Sequence, residues 1–345
     1  MYSRADRILH HIALGFRPVL EATFDIERAS HRRALNGIEA KAPVFVCGLA
    51  RAGTTVLMRA IHASGDFASL SYRDMPFPLA PNSWARLGRG LARHVERRER
   101  GHGDGLTHDL DSPEAIEEVF WRVREGEHYL TREALFPEPV APDTIAAFRD
   151  YVRLVLLRHS GARYLSKNNN NVLRPGALVE AFPDAILLHP FRDPLQQANS
   201  LRTQHVRACA LAAEDPFRRR YMSWLGHHEF GADQRPFGFD GAPGPGESRA
   251  RIDYWLKCWI SVHQALLAQP ATVAARQHFL DYDRLCADGP GHESVLARAA
   301  GLDHMPSLAA LTPPKRHSEP GADPALLDRA QAIHTALQGR ALVAA

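Results

Sequence analysis

Four short segments with strand character, each followed by a stretch with helical character, constrain the fold of this chain most. The first of them is apolar almost throughout, which is typical of a parallel strand buried on both faces of a sheet. Strands that alternate with helices predict an α/β fold of three layers, with a mostly parallel central sheet flanked by helices. The four predicted strands are PVFVCG (43–48), RYLSK (163–167), AILLHPF (185–191) and RQHFLDYD (276–283).

Two long intervals between these strands have a mainly helical pattern. They cover residues 80–160 and 205–270, and proline- and glycine-rich stretches such as RPFGFDGAPGPGES (235–248) interrupt them. With 345 residues and no internal repeat, the chain is predicted to form a single domain over 1–345. Residues 1–40 are then an N-terminal helical extension, and the two intervals are helical insertions that cover the functional site.

The composition argues against several classes of protein. The net charge is only +3, which does not indicate a dedicated nucleic-acid binder but permits a local basic pocket for an anion. No segment reaches the roughly 18 apolar residues of a membrane-spanning helix, and the first thirty residues lack the apolar region of a signal peptide. The four cysteines form no C-x-x-C pair. We therefore expect a soluble, cytoplasmic protein without a nucleic-acid partner or a membrane span; its oligomeric state is left open.

The loop after the first predicted strand resembles a phosphate-binding loop that lacks its lysine. Gly48 and Gly53 have the spacing of the motif G-x-x-x-x-G-K-[ST], and Thr55 holds the hydroxyl position, but Thr54 stands in place of the lysine. Free backbone N–H groups at the start of the next helix, the threonine hydroxyls and the guanidinium of Arg51 can together bind a phosphate or a sulfate. The alternative is a tight strand-to-helix turn without a ligand.

The missing lysine bears on the chemistry. Nucleotide triphosphatases use that lysine and add an Asp that holds Mg²⁺ at a strand end. The sequence has neither feature clearly, which favours transfer from a phosphate-bearing donor without a metal. The alternatives are a kinase-like phosphotransferase that uses ATP and Mg²⁺, and a protein that binds a nucleotide without catalysis.

Two motifs together resemble the sulfotransferases that use 3′-phosphoadenosine 5′-phosphosulfate. Their loop for the 5′-phosphosulfate is similar to Arg51-Ala52-Gly53-Thr54-Thr55, and their 3′-phosphate is held by an Arg at a strand end with a Ser eight positions later, as in Arg192 and Ser200. The resemblance implies a P-loop-like fold, this donor, adenosine 3′,5′-bisphosphate as the product, and no metal. It also implies that these seven residues bind the donor and that Arg51 takes part in catalysis.

Two further residues acquire a role through the resemblance. Tyr282, in HFLDYDRL, matches a tyrosine that contacts the adenine in several members of the family, although a strand-end aromatic packed in the core is an equal alternative. Lys167 resembles a lysine of the tyrosylprotein sulfotransferases and related bacterial enzymes. It ends a predicted strand, where open α/β folds bind their ligands. We expect it to stabilise the bridging and sulfuryl oxygens, with a structural lysine as the alternative.

The group that accepts the proton of the acceptor hydroxyl is the least defined part of the site. The segment SLSYRDMPFPLAP offers Asp74, two positions away from the place of a catalytic Glu in the tyrosylprotein sulfotransferases. His102, in the segment HGDGLTHDLDSPEAIEEVFW (102–121), is the second candidate. Competing side chains in that segment are Asp104, His108 and Glu118. The acceptor could be a peptide tyrosine, a sugar, a lipid or a small alcohol.

Two polar segments remain without an assigned role. Asn168 to Asn171 are interpreted as either lining an acceptor pocket or capping the following helix. The segment GHHEFG (226–231) has no H-E-x-x-H spacing, so we predict a loop that packs against the helical cover and no metal site.

Overall fold

The computed structural model describes residues 3–88, 98–99, 107–108, 115–287, 291–303 and 321–343. Five strands of this part of the chain form one parallel sheet in the order β2-β5-β1-β6-β7. A separate antiparallel pair consists of β3 and β4. The strands are β1 (Val44–Val46), β2 (Phe67–Ala68), β3 (Arg98–Glu99), β4 (Thr107–His108), β5 (Arg163–Lys167), β6 (Ile186–Phe191) and β7 (Gln277–Asp281).

Helices connect and cover the strands. Proline stands at the first turn of several of them, where its missing N–H leaves no intrahelical hydrogen bond unmade. Two 3-10 helices cover Tyr72–Asp74 and Asn169–Leu173. The α-helices are α1 (Arg4–Gly15), α2 (Arg17–Leu35), α3 (Thr54–His62), α4 (Pro81–Gly88), α5 (Glu118–Tyr129), α6 (Pro142–Leu156), α7 (Pro175–Ala181), α8 (Pro194–Glu214), α9 (Pro216–Trp224), α10 (Ile252–Leu267), α11 (Ala271–Ala274), α12 (Tyr282–Ala287), α13 (Gly291–Ala300) and α14 (Pro324–Arg340).

Successive residues of the strands pack on opposite faces of the sheet. Val44 and Val46 of β1 lie in a core with apolar side chains of α3 and α13. Phe45, between them, points to the other face, where its ring lies 6.1 Å from that of Phe148 and 6.2 Å from that of Phe182. A strand that is apolar at every position can therefore serve both cores at once. The predicted three-layer α/β fold is confirmed.

A third core holds α8 against the sheet. It joins α8, α10 and α14 to Phe191 and Phe279 on the last two strands, and Trp255 and Trp259 of α10 are buried within it. The described parts of 80–160 and 205–270 are mainly helical, but the single-domain organisation stays a prediction. In the described residues, no helix is both long and apolar enough to cross a membrane.

The end of β7 differs from the prediction. The strand stops at Asp281, and Tyr282 already begins α12. The carboxylate of Asp281 accepts a hydrogen bond from the backbone N–H of Arg284 at 3.2 Å, as a helix cap does. An apolar run followed by aspartates was not sufficient to locate this boundary.

Candidate functional site

The residues singled out by the sequence motifs meet at one edge of the sheet. The five strands are parallel, so their carboxyl ends share that edge, where open α/β folds bind ligands. The loop of residues 47–53 leaves β1, Lys167 ends β5, and Arg192 follows β6. Tyr282 follows β7.

The loop after β1 turns sharply because two of its residues have a left-handed backbone. Arg51 has φ 71° and Gly53 has φ 81°. A non-glycine residue in this region stores strain of order 1–3 kcal/mol and persists only where the surroundings impose it. Ala52 and Thr54 are buried, and α3 begins at Thr54 with Thr55 in its first turn. The loop therefore leads the backbone N–H groups at the start of α3 to the edge of the sheet.

The side chain of Gln197 holds this loop in place. Its amide nitrogen donates to the carbonyl oxygens of Leu49 at 3.1 Å and Ala50 at 3.0 Å. Its own carbonyl oxygen accepts from the indole N–H of Trp259 at 3.0 Å. Gln197 is fully buried, and its side chain satisfies hydrogen-bonding groups of both the glycine loop and helix α10. Sequence reasoning missed it; its position three residues before Ser200, on the same face of α8, was the available signal.

Hydrogen bonds join the two predicted phosphate motifs. Nε of Arg51 donates to the hydroxyl of Ser200 at 3.1 Å. Nη1 of Arg192 donates to the backbone carbonyl of Arg51 at 3.3 Å. Arg192 is buried, and its Nε lies 3.4 Å from the carboxylate of Asp283, which also accepts from the N–H of Asp193 at 2.8 Å. Motifs about 140 residues apart in the sequence thus form one basic site.

Tyr282 packs directly against the glycine loop. It is buried, which raises the pKa of its phenol, and its ring occupies the space that a Cβ at Gly53 would need. The contact fits either a residue beside a bound nucleotide or a core aromatic, so its predicted contact with adenine stays a prediction.

We expect Gly53→Ala to weaken anion binding at this loop severely. The new methyl group would overlap the Tyr282 ring, and an L residue at φ 81° adds strain of about 1–3 kcal/mol. The affinity for adenosine 3′,5′-bisphosphate, measured by calorimetry, should fall at least about tenfold, since tenfold corresponds to about 1.4 kcal/mol. Gly65→Ala is the matched control, because Gly65 also has a positive φ but no atom lies within 4 Å of its Cβ position. Equal affinities for both variants would contradict the close packing of Tyr282 on the loop.

Lys167 lies beside a carboxylate that sequence reasoning did not select. Lys167 is buried, and its register partner in the sheet is Val46. Burial opposes the ionisation of Glu229, but the nearby His227 and the charge of Lys167 hold its pKa below its ordinary value. The amide nitrogen of Asn169 donates to Glu229 at 2.6 Å. The signal for Glu229 lay within GHHEFG, which we interpreted as a packing loop.

The four asparagines after Lys167 are all buried and bonded to distant groups. Asn168 donates to Glu118 at 2.7 Å, and Asn171 donates to Glu117 at 2.8 Å. Asn170 donates to the carbonyl of Gly226 at 2.9 Å. Their side chains thus connect β5 to α5 and to the loop after α9, in addition to the cap that Asn168 provides for its 3-10 helix.

Glu118, which accepts from Asn168, also forms a buried ion pair with Arg174. The guanidinium of Arg174 donates to both carboxylate oxygens of Glu118, at 2.7 and 3.1 Å. It also stacks on the rings of Trp121 and Tyr129, at 4.9 and 4.8 Å from their centroids. The hydroxyl of Tyr129 donates to Glu118 as well. These contacts favour a structural role for Glu118 over that of a base.

Asp74 is also held by strong contacts. It ends a 3-10 helix capped by Ser71, whose N–H donates to the carboxylate at 2.9 Å, and Arg158 donates to it at 2.6 Å. Asp74 is buried, so this pairing favours a structural role, and its function as the base stays a prediction. His102 and Asp104 lie outside the described residues. Within the described ranges, no three His, Cys, Asp or Glu side chains are grouped as metal ligands.

Comparisons with known proteins identify the family of this chain. The model of the sulfotransferase family matches residues 43–236, more than half of the chain. Among curated proteins, no sequence matches. Solved structures with a similar fold include three bacterial or biosynthetic sulfotransferases.

The first is sulfotransferase STF1 from Mycobacterium tuberculosis, at 16% identity over 83% of this chain and 74% of that one, with a TM-score of 0.48. The second, from Alicyclobacillus acidocaldarius, has 14% identity over 88% and 94%, with a TM-score of 0.35. The third is the sulfotransferase domain from the curacin biosynthetic pathway, at 13% identity over 87% and 99%, with a TM-score of 0.37. Their TM-scores are below 0.5, so the assignment rests on the family model. The match covers the glycine loop, Lys167, Arg192 and Ser200, and the chain belongs to the sulfotransferase family.

Proposed function

We propose that this protein transfers a sulfuryl group from 3′-phosphoadenosine 5′-phosphosulfate to an acceptor hydroxyl. The observation that carries the proposal is the pair of hydrogen bonds from Arg51 to Ser200 and from Arg192 to Arg51. They bring a loop suited to a 5′-phosphosulfate and a clamp suited to a 3′-phosphate to the same edge of the sheet.

The residues at this edge fit the donor in charge and in shape. Arg51, Lys167 and Arg192 supply three positive charges, and Thr54, Thr55 and Ser200 supply hydroxyl groups. The left-handed turn at residues 51 and 53 leads into α3, whose N-terminal N–H groups favour an anion. The carboxylate of Asp283 meets Arg192 at a long 3.4 Å and is partly exposed, so a phosphate can take its place as the acceptor.

When bound, the donor supplies the sulfuryl group and carries away the charge of the bridging oxygen. Arg51 grips the phosphosulfate and neutralises that charge, and Lys167 neutralises charge that grows during the transfer. Arg192 and Ser200 hold the 3′-phosphate from two sides, while Tyr282 is the proposed contact of the adenine. Preorganised cations of this kind act mainly by position and electrostatics.

The 3′-phosphate clamp predicts strong discrimination between two nucleotides. Adenosine 5′-monophosphate offers the buried Arg192 no 3′-phosphate and leaves it with its long contact to Asp283, whereas a charge-assisted hydrogen bond to a phosphate is worth about 1–3 kcal/mol. Adenosine 3′,5′-bisphosphate should therefore bind about 5- to 150-fold more tightly than the monophosphate, and Arg192→Met should remove most of that difference. Calorimetry in EDTA measures both affinities.

Arg284→Met is the control for Arg192→Met. Arg284 lies on the adjacent helix α12, is half exposed and pairs with Asp281 at 3.4 Å. It should keep the wild-type discrimination. Equal affinities of the wild type for the two nucleotides would contradict the clamp, and a larger thermal shift with ATP and Mg²⁺ than with the bisphosphate would favour the kinase-like alternative.

The acceptor class is identified separately. Incubation of the protein with labelled donor and fractionated extracts, followed by mass spectrometry, would detect the sulfated product. A peptide, a sugar, a lipid and a small alcohol give products that differ in mass and in partition between water and organic solvent.

A further inference from the structure

The loop of residues 226–229 brings the carboxylate of Glu229 to the end of β5. Asn170 fixes the start of this loop through the carbonyl of Gly226, at 2.9 Å. Oε1 of Glu229 accepts from Asn169 at 2.6 Å, and Oε2 lies 3.7 Å from Nδ1 of His227. Glu229 is buried, and no arginine of the described residues pairs with it, unlike Asp74 and Glu118.

Beside Glu229, one buried acceptor has no hydrogen-bond donor. Oδ1 of Asn169 is buried, and none of the described residues donates to it. A buried acceptor left without a donor is unfavourable by about 1–3 kcal/mol. A hydroxyl-bearing ligand next to Glu229 can satisfy it through an ordered water or its own polar group. The unsatisfied Oδ1 of Asn169 is an observation independent of the position of the Glu229 carboxylate.

On one side, Glu229 faces the donor site. Asn169, which holds its carboxylate, is two residues from Lys167, and the charge of Lys167 contributes to the lowered pKa of Glu229. The hydrogen bond to Asn169 therefore holds Glu229 near the end of β5, where Lys167, the cation that we assign to the transferred group, is located.

His227, whose ring lies next to the carboxylate of Glu229, lines a cleft. His227 contributes to the wall of a cavity of about 70 Å³ between α8, α9 and the loop of residues 227–233. The cavity begins at Gln204, one helical turn or about 6 Å along α8 from Ser200. Part of its wall is apolar, and the charged side chains of Arg218, Arg219 and Asp233 line it as well; the apolar residues are Ala208, Leu211, Ala212, Met222 and Phe230.

We propose, on the basis of the proposed function, that Glu229 is the base of the transfer and that this cleft binds the acceptor, a hydroxyl on a slender apolar group. The acceptor oxygen forms a bond to sulfur as the bond from sulfur to the bridging phosphate oxygen breaks. The electron pair of the broken bond stays on adenosine 3′,5′-bisphosphate, and the hydroxyl proton passes to the carboxylate of Glu229. His227, at the opening to the cleft, orients that carboxylate.

Lys167 couples donor binding to the basicity of Glu229. In the protein alone, Lys167 and His227 favour the ionised form of Glu229. Once the anionic sulfuryl group pairs with Lys167, that cation stabilises the carboxylate less, so the pKa of Glu229 rises toward that of a stronger base. Donor binding therefore prepares the base for the acceptor.

The test compares Glu229→Gln with the wild type. Glutamine keeps an oxygen that can accept from Asn169 but cannot take a proton. In single turnovers with the phosphosulfate donor, and with phenols of graded acidity or water as acceptors, the rate should fall about 10²- to 10⁴-fold. The affinity for adenosine 3′,5′-bisphosphate should stay within about twofold. The loss should be smaller for more acidic phenols, which need less help from a base.

The pH profile gives a readout that a merely structural residue would not change. In the wild type, the rate should fall at acidic pH as Glu229 is protonated, and Glu229→Gln should lose this part of the profile. Glu247→Gln is the control, since Glu247 pairs with Lys257 in the same insertion, away from the cleft; it should keep the wild-type rate.

Two results would overturn the inference, and they differ in whether the proposed function survives. Wild-type rates in Glu229→Gln would remove Glu229 from the reaction and leave the proposed function intact. If the wild type transfers to no phenol and releases no sulfate from the donor, then the proposed function fails as well.

Discussion

Replacing Lys167 with alanine should lower the single-turnover rate about 10²- to 10³-fold and leave the affinity for adenosine 3′,5′-bisphosphate nearly unchanged. Lys167 ends β5 in register with Val46, so the sheet fixes its backbone before any ligand binds. A cation fixed there stabilises charge that develops only in the transition state, and its loss acts on turnover rather than on product binding. Single-turnover kinetics and calorimetry on the same variant separate the two effects.

Arg51→Ala is the informative comparison for Lys167→Ala. Arg51 also contacts Ser200 and would grip the phosphosulfate in the ground state, so both affinity and rate should suffer. Lys257→Ala, which removes a partly exposed lysine paired with Glu247, controls for the loss of a positive charge. A wild-type rate in Lys167→Ala, together with lower thermal stability, would make Lys167 a structural residue.

Arg174→Met should reduce the free energy of unfolding by about 3–5 kcal/mol. The variant removes the arginine that pairs with Glu118 and leaves that buried carboxylate beside Glu117. Burial alone would raise the pKa of Glu118, but Arg174 holds it below its ordinary range. Urea unfolding at neutral pH measures the change.

Two further variants define the origin of that loss. Arg153→Met breaks a partly exposed pair with Asp150 at 3.4 Å and should change stability by less than about 1 kcal/mol. Glu118→Gln combined with Arg174→Met should recover part of the loss, because no buried charge then lacks a partner.

The contribution of the Glu118–Arg174 ion pair to stability depends on pH. It is fully present above the ordinary pKa of glutamate and is lost as the pH falls through the lowered pKa of Glu118 in the folded protein. The difference between Arg174→Met and the wild type should therefore narrow in acid. A loss below about 1 kcal/mol for Arg174→Met would contradict this account.

The sheet and the phosphate motifs could be predicted from the sequence because their signals are local. Four of the five strands of the sheet lie in short segments with strand character; Gly48 follows β1 closely, Lys167 ends β5, and Arg192 follows β6. The fifth, β2, has only two residues, too few for any periodicity. Parallel strands then bring Arg51, Lys167 and Arg192 to one edge without further information.

The polar groups behind that edge could not be predicted, since their partners are far away in the sequence. The run of asparagines has the composition of an exposed loop, but Asn168 and Asn171 are buried because α5 supplies carboxylates some fifty residues earlier. The carboxylate of Glu229 is held by a hydrogen bond from Asn169, sixty residues earlier in the sequence. No local pattern carries such pairings.

The hydrogen bond between Arg51 and Ser200 should make the two ends of the proposed donor energetically interdependent. Each residue belongs to a different motif, and in the protein alone each partly satisfies the other. A fragment that carries only one anionic group must break this bond while engaging one side, whereas the complete nucleotide compensates both sides at once. For the proposed donor, the contributions of the two groups to affinity should consequently not be additive, and we expect the site to bind the intact nucleotide more tightly than the sum of its parts would give.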